Sequence, residues 1–149
     1  MAAGDPDRIL GVIDHIESEV RRTRPDLSYA AENPRMPFSE VRFFRSIEVY
    51  LRAGTQARYE EQLKALVALH ERHGTQTSFF VSSAVQGSGP SLRISIPARD
   101  AADFFAEYQA MEDRLGEERQ ALLVEMNPLA RRLEWASRVV RRDLGYQPN

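Results

Sequence analysis

Apolar residues recur along the chain at helical spacing in some stretches and at alternate positions in others, and the change between the two patterns predicts its elements. Asp5-Pro6 supplies a capping acid and a first-turn proline, and Ile9, Ile13, Ile16 and Val20 then form one stripe, which predicts an amphipathic helix ending near Arg22 to Arg24. Pro25, Pro34 and Pro37 interrupt the chain up to Ser39, where no helical period survives, so this stretch reads as an extended connector. Val41, Phe43, Ile47, Val49 and Leu51 then fall on one face of a strand, with Arg42, Phe44, Ser46, Glu48, Tyr50 and Arg52 on the other. After Ala53-Gly54 turns the chain, Thr55 caps a helix whose buried stripe is Tyr59, Leu63, Leu66, Val67 and His70, closed by Gly74.

The segments "TQTSFFVSSAVQ" and "SLRISIP" flank "GSGP" and predict an antiparallel hairpin. Asp100 caps a longer helix with Phe104, Phe105, Tyr108, Met111 and Leu115 facing inward. Asn127-Pro128 reads as the start of a further helix, with Leu129, Leu133, Ala136 and Val140 as its stripe. Strand, helix, strand, strand, helix is most of a ferredoxin-like unit, an antiparallel sheet with its helices on one face. The fourth strand has only "RRDLGYQPN" left to form it. The expectation is an α+β fold of this kind with extra N-terminal and C-terminal helices. Residues 1–40 hold the first helix and the connector, and residues 41–149 the ferredoxin-like module with its C-terminal helix.

At 149 residues, with 42% hydrophobic and 28% charged residues, the chain is long enough for one well-buried domain. A formal charge of -2 gives no electrostatic reason to expect nucleic acid. The absence of cysteine excludes disulfides, thiolate nucleophiles and Cys-ligated metal sites, and fits a reducing compartment. No apolar run is long enough to span a membrane, and the acids near the start do not suit a signal peptide, so a cytoplasmic setting without a membrane partner is expected.

The block "RFFRSIEVYLRAGTQARYEEQLKALVALHERHG", the Phe-rich strand, the "GSGP" turn and "LRISIPARD" together resemble a module of the dimeric α+β barrel superfamily. The likeness is to its NIPSNAP-like and antibiotic-biosynthesis-monooxygenase-like bacterial branches, and it covers roughly Val41 to Arg119. It implies a homodimer whose two sheets close into a barrel, and a small-molecule-binding protein. The narrower implication is a cofactor-free monooxygenase or isomerase acting on an aromatic or polyketide-like compound; the alternative is a non-catalytic sensing or assembly protein using the barrel as a dimer interface. In some relatives of this kind two modules run in tandem, the first closing on an "RPDLSY"-like segment. "RPDLSY" at Arg24 to Tyr29 and "DLGY" at Asp143 to Tyr146 then read as the closing edges of two such modules, expected at corresponding places on sheet edges.

The sheet face turned away from the helices offers the candidate chemistry. Glu48 and Tyr50 are the expected catalytic residues, with Phe44, Phe80, Ser82, Gln86, Arg93 and Ser95 as ligand-binding neighbours. Left unpaired in an apolar lumen, Glu48 is a candidate base; paired with Arg93 across the strands, it is a structural ion. His70 and His73 share a helix face at a spacing that allows two metal or haem ligands, but His70 also continues the apolar stripe and no third ligand accompanies them, so neither metal nor cofactor is expected.

Overall fold

A computed structural model describes residues 18–144. Strand β1 (Val20–Thr23) precedes a connector with single 3-10 turns at Pro25–Leu27 and Phe38–Glu40. Then come β2 (Phe43–Leu51), helix α1 (Gln56–His73), β3 (Phe80–Gln86), β4 (Leu92–Ala98), helix α2 (Ala101–Met126), a 3-10 turn and β5 (Ala130–Val139). All pairings are antiparallel, and the sheet runs β1-β3-β4-β2-β5. From β2 onward this order is consistent with a ferredoxin-like unit, to which β1 adds an edge strand.

Local chemistry explains most boundaries. Gly74 ends α1 in the left-handed region at φ 55°, its N–H returning to the Glu71 carbonyl, which a residue with a Cβ adopts only under strain. Asp100 accepts the Asp103 N–H at 2.8 Å and starts α2. The core lies between the helices and one sheet face: Phe43, Val49, Leu92, Ile94 and Ile96 meet Tyr59, Leu63, Leu66, Phe104, Met111 and Leu115. Phe105, expected to face inward, is exposed, because the buried stripe of α2 passes through Phe104 and Tyr108.

Both ends differ from the expected helices. Residues 130–139 are the fourth strand of the unit, not a helix. Leu133, Trp135 and Val139 alternate with Arg132, Glu134 and Arg138 as well as any helical stripe does, and the open flank of β2 supplies the ladder that decides between the two periods. Asn127–Leu129 is only the turn that delivers the chain from α2 into β5. At the other end, Val20–Thr23 pairs with β3 where the N-terminal helix was expected to finish, and Arg21 crosses the strands to Ser82 Oγ (2.9 Å) and the Pro90 carbonyl (2.8 Å). The remainder of that predicted helix lies outside the described residues.

The repeated wording has a repeated structure. After edge strand β1, Arg24 donates through Nε and Nη2 to the two carboxylate oxygens of Asp26 (2.9 and 2.8 Å), and the Leu27 N–H returns to the Arg24 carbonyl. After edge strand β5, Arg141 makes the same two-pronged contact with Asp143 (2.9 and 2.6 Å), and the Leu144 N–H returns to the Arg141 carbonyl. The surroundings differ: Leu27 is fully buried, whereas Leu144 is 74% exposed. The first copy is also pinned by Arg24 to Glu60 on α1, and Tyr29 bridges Phe79 through both backbone groups.

Candidate functional site

The helix-free face gathers the residues expected to do chemistry. Register sets Glu48 beside Arg93, Ser46 beside Ser95, and Phe80 and Ser82 across from Ser95 and Arg93. Arg93 donates from Nε to Glu48 (3.2 Å) and from Nη2 to Glu19 (2.8 Å), while Arg138 from β5 also donates to Glu48. Burial alone would raise the Glu48 carboxyl, but the hydrogen bonds and charges of Arg138 and Arg93 outweigh it and hold the group below its usual range. A carboxylate so held is a weak proton acceptor. Tyr50 is buried under Arg132, whose guanidinium lies 3.9 Å from the ring centroid. Glu48, Tyr50 and Arg93 share a polar cleft with Glu19 and the Ser88–Pro90 turn, whereas Phe44 lies by Phe38, and Gln86 opposite Val20 at the sheet edge. The face is therefore ionic, and of the two alternatives for Glu48 it holds the structural ion paired with Arg93, not the unpaired base.

A second space lies on the other side of the sheet, between it and the helices. This cavity of about 190 Å³ is walled by Ile47, Leu66, Phe79, Ile94, Ile96, Met111, Leu123, Met126 and Leu133, with Tyr59, His70, Thr77, Ser78, Tyr108, Arg119, Asn127 and Trp135 as its polar-bearing members. His70 comes from α1, held between Tyr29 and Phe79 with ring centroids 5.2 and 5.1 Å away. Its Nδ1 lies 2.7 Å from Thr75 Oγ1. Burial, aided by the nearby charges of Arg119 and His73, lowers its pKa to about 4, so the ring is neutral at physiological pH. Tyr59, also from α1, is driven up to about 12 by burial and keeps its proton.

Arg119 is the one charged side chain in the buried class among the described residues apart from the neutral His70. It donates from Nη2 to the Tyr108 hydroxyl (2.9 Å) and from Nη1 to Glu112, while its Nε–H, like Arg45 Nε and Arg138 Nη1, is buried with no hydrogen-bond partner among the described residues. A buried donor without a partner costs about 1–3 kcal/mol, so something normally satisfies it. Its position follows from a break in α2: Gly116, at φ 49° and ψ -131°, interrupts the helical backbone three residues earlier. Trp135 on β5 closes the group, 5.9 Å from Tyr108 in a T-shaped contact and under the Arg45 guanidinium at 5.1 Å.

Sequence reasoning placed Tyr59, His70 and Tyr108 on buried stripes without seeing that they face one cavity, and it missed Arg119. The signal was present: the stripe Phe104, Tyr108, Met111, Leu115 continues four residues on at an arginine, just after a glycine inside the helix. The two histidines of α1 part company, His70 going to Thr75 and His73 Nε2 to Glu118 (3.1 Å). Among the described residues no three His, Asp or Glu side chains converge as metal ligands, and no helix is long and apolar enough to cross a membrane. Comparison with protein-family models, curated proteins and solved structures finds no match to this chain.

Proposed function

We infer that the protein binds a small, single-ring organic acid in the cavity between its helices and its sheet. The observation that carries this reading is the unpartnered Nε–H of buried Arg119 in a chamber whose remaining walls are mostly apolar. An anionic oxygen on the ligand satisfies that donor, the neutral His70 and protonated Tyr59 offer hydrogen bonds without adding charge, and Trp135, Tyr108 and Phe79 supply flat apolar surface. Size narrows the class: a cavity of about 150 Å³ holds benzene, so about 190 Å³ suits one ring with a short substituent. A binding or sensing role needs nothing more than these groups, and turnover is not part of the proposal.

The test is a thermal-shift panel of benzoate and its hydroxylated and short-chain relatives against the matching amides and alcohols. The acids should raise the melting temperature and the neutral analogues should not, a ligand at a hundredfold excess over its Kd adding about 2.7 kcal/mol. Equal shifts for acids and amides, or none for either, would contradict it.

A further inference from the structure

The two edges of the sheet are built differently. Edge strand β1 is four residues long and its register shifts at Val20/Arg21, which blunts it. Edge strand β5 is ten residues long, lacks proline and glycine, and runs in unbroken register with β2 from Val139 to Arg132. Its outward flank has no partner strand among the described residues, and its helix-side row Leu133, Trp135 and Val139 is exposed, Val139 to 69%. A long regular edge with exposed apolar residues is a template for another strand.

We propose that this edge is the dimer interface: β5 pairs antiparallel with β5 of a second copy about a two-fold axis at Ala136, joining the two sheets into one. The choice of occupant and register comes from the strand's own sequence. An axis through Ala136 sets Glu134 opposite Arg138 of the partner subunit, and Leu133 opposite Val139 of the partner subunit, each pair occurring twice. On the helix side Leu133 meets Val139 of the partner subunit and Trp135 meets Ser137 of the partner subunit, and on the opposite face Glu134 and Arg138, which contact Arg132 and Glu48 within the chain, each gain a further partner of opposite charge. Moving the axis to Trp135 faces Arg132 with Arg138, and moving it to Glu134 faces that acid with itself, both repulsive. An axis at Ser137 loses the ion pair. Leu133 and Trp135 also line the ligand cavity, so the partner strand seals its β5 side. The proposal is independent of the ligand reading, because it rests on the edge and not on the chamber.

Ala136→Cys tests it in the full chain, which has no cysteine of its own. In this register the two Cα atoms approach to roughly 4.5–5.5 Å, within disulfide range. Sedimentation should give a dimer for the unaltered protein, and mild oxidation of Ala136→Cys should convert it to a covalent dimer. Val139→Lys, a change at an exposed position, should weaken association by about tenfold or more while leaving the far-ultraviolet circular dichroism unchanged. A monomer at micromolar concentration overturns the proposal. So does a dimer that Val139→Lys leaves intact and that cross-links through Ala84→Cys on the helix-free face but not through Ala136→Cys, the outcome expected of two sheets facing each other as a barrel. Neither result bears on whether ring acids raise the melting temperature.

Discussion

Buried His70 makes the protein's stability depend on pH in a definite window. Its pKa falls from an ordinary 6.5 to about 4 on folding, so the unfolded chain binds a proton that the folded one refuses. The associated stability is present in full above pH 6.5 and is lost as pH falls toward 4, amounting in all to on the order of 3 kcal/mol. Glu48, Glu60 and Asp103 are held below their usual values by arginine partners, so their contribution is lost only at lower pH. Urea unfolding between pH 6.5 and 4.5 should therefore show a decline that His70→Gln largely removes; an unchanged slope in that variant would mean the ring is not buried as described. The sequence marked His70 as a stripe residue and was right about its burial. What it withheld was the company the residue keeps, since Thr75 folds back onto it from just past the helix end, and Phe79 and Arg119 reach it from the residue before β3 and from α2. Glu48 is the converse case: the pairing with Arg93 was foreseeable from strand register, whereas Arg138 arrives from a strand that had been read as a helix.

Among the elements, α2 carries the most unusual feature. A Cβ at Gly116 would meet nothing within 4 Å, so the glycine is required by its backbone angles and not by crowding. Gly116→Ala should cost about 1–3 kcal/mol in thermal or denaturant unfolding and should displace Arg119 from the cavity wall. A variant as stable as the parent, with ligand binding unchanged, would show that the break in α2 is incidental. The legibility of elements followed a physical rule. Segments with their own caps and an uncontested period, namely α1, the β3-β4 hairpin and the start of α2, were readable from local chemistry. Strand β5 was not, because its sequence satisfies both periods and the free flank of β2 made the choice. Strand β1 was misread for a related reason: Val20 extends a helical stripe, but the backbone of β3 offered a ladder that local sequence does not display.

At the scale of the molecule, the sheet separates two unlike environments. One side is a network in which Arg93 and Arg138 hold Glu48; the other is an apolar chamber whose wall holds Arg119, with a buried Nε–H that has no partner among the described residues. The order of strands from β2 onward was legible because strand-helix-strand-strand-helix admits few arrangements, but the missing strand was sought at residues 141–149, a whole strand beyond the one that forms. The repeated Arg-x-Asp-Leu wording follows both edge strands of the sheet, with matching clasps of Arg24 with Asp26 and Arg141 with Asp143, while Gly145 and Tyr146 of the second copy lie outside the described residues. The site was less legible, because a cavity is the product of several elements and its key residue lies after a backbone break. Trp135 is the only tryptophan and sits in the cavity wall, so its fluorescence reports occupancy directly. Titrating the protein with benzoate while following that emission tests the central claim. A saturable change that weakens by about tenfold or more in Arg119→Met, as loss of a charged hydrogen bond requires, is the predicted result; identical titrations for the two proteins, or no change in either, would contradict it.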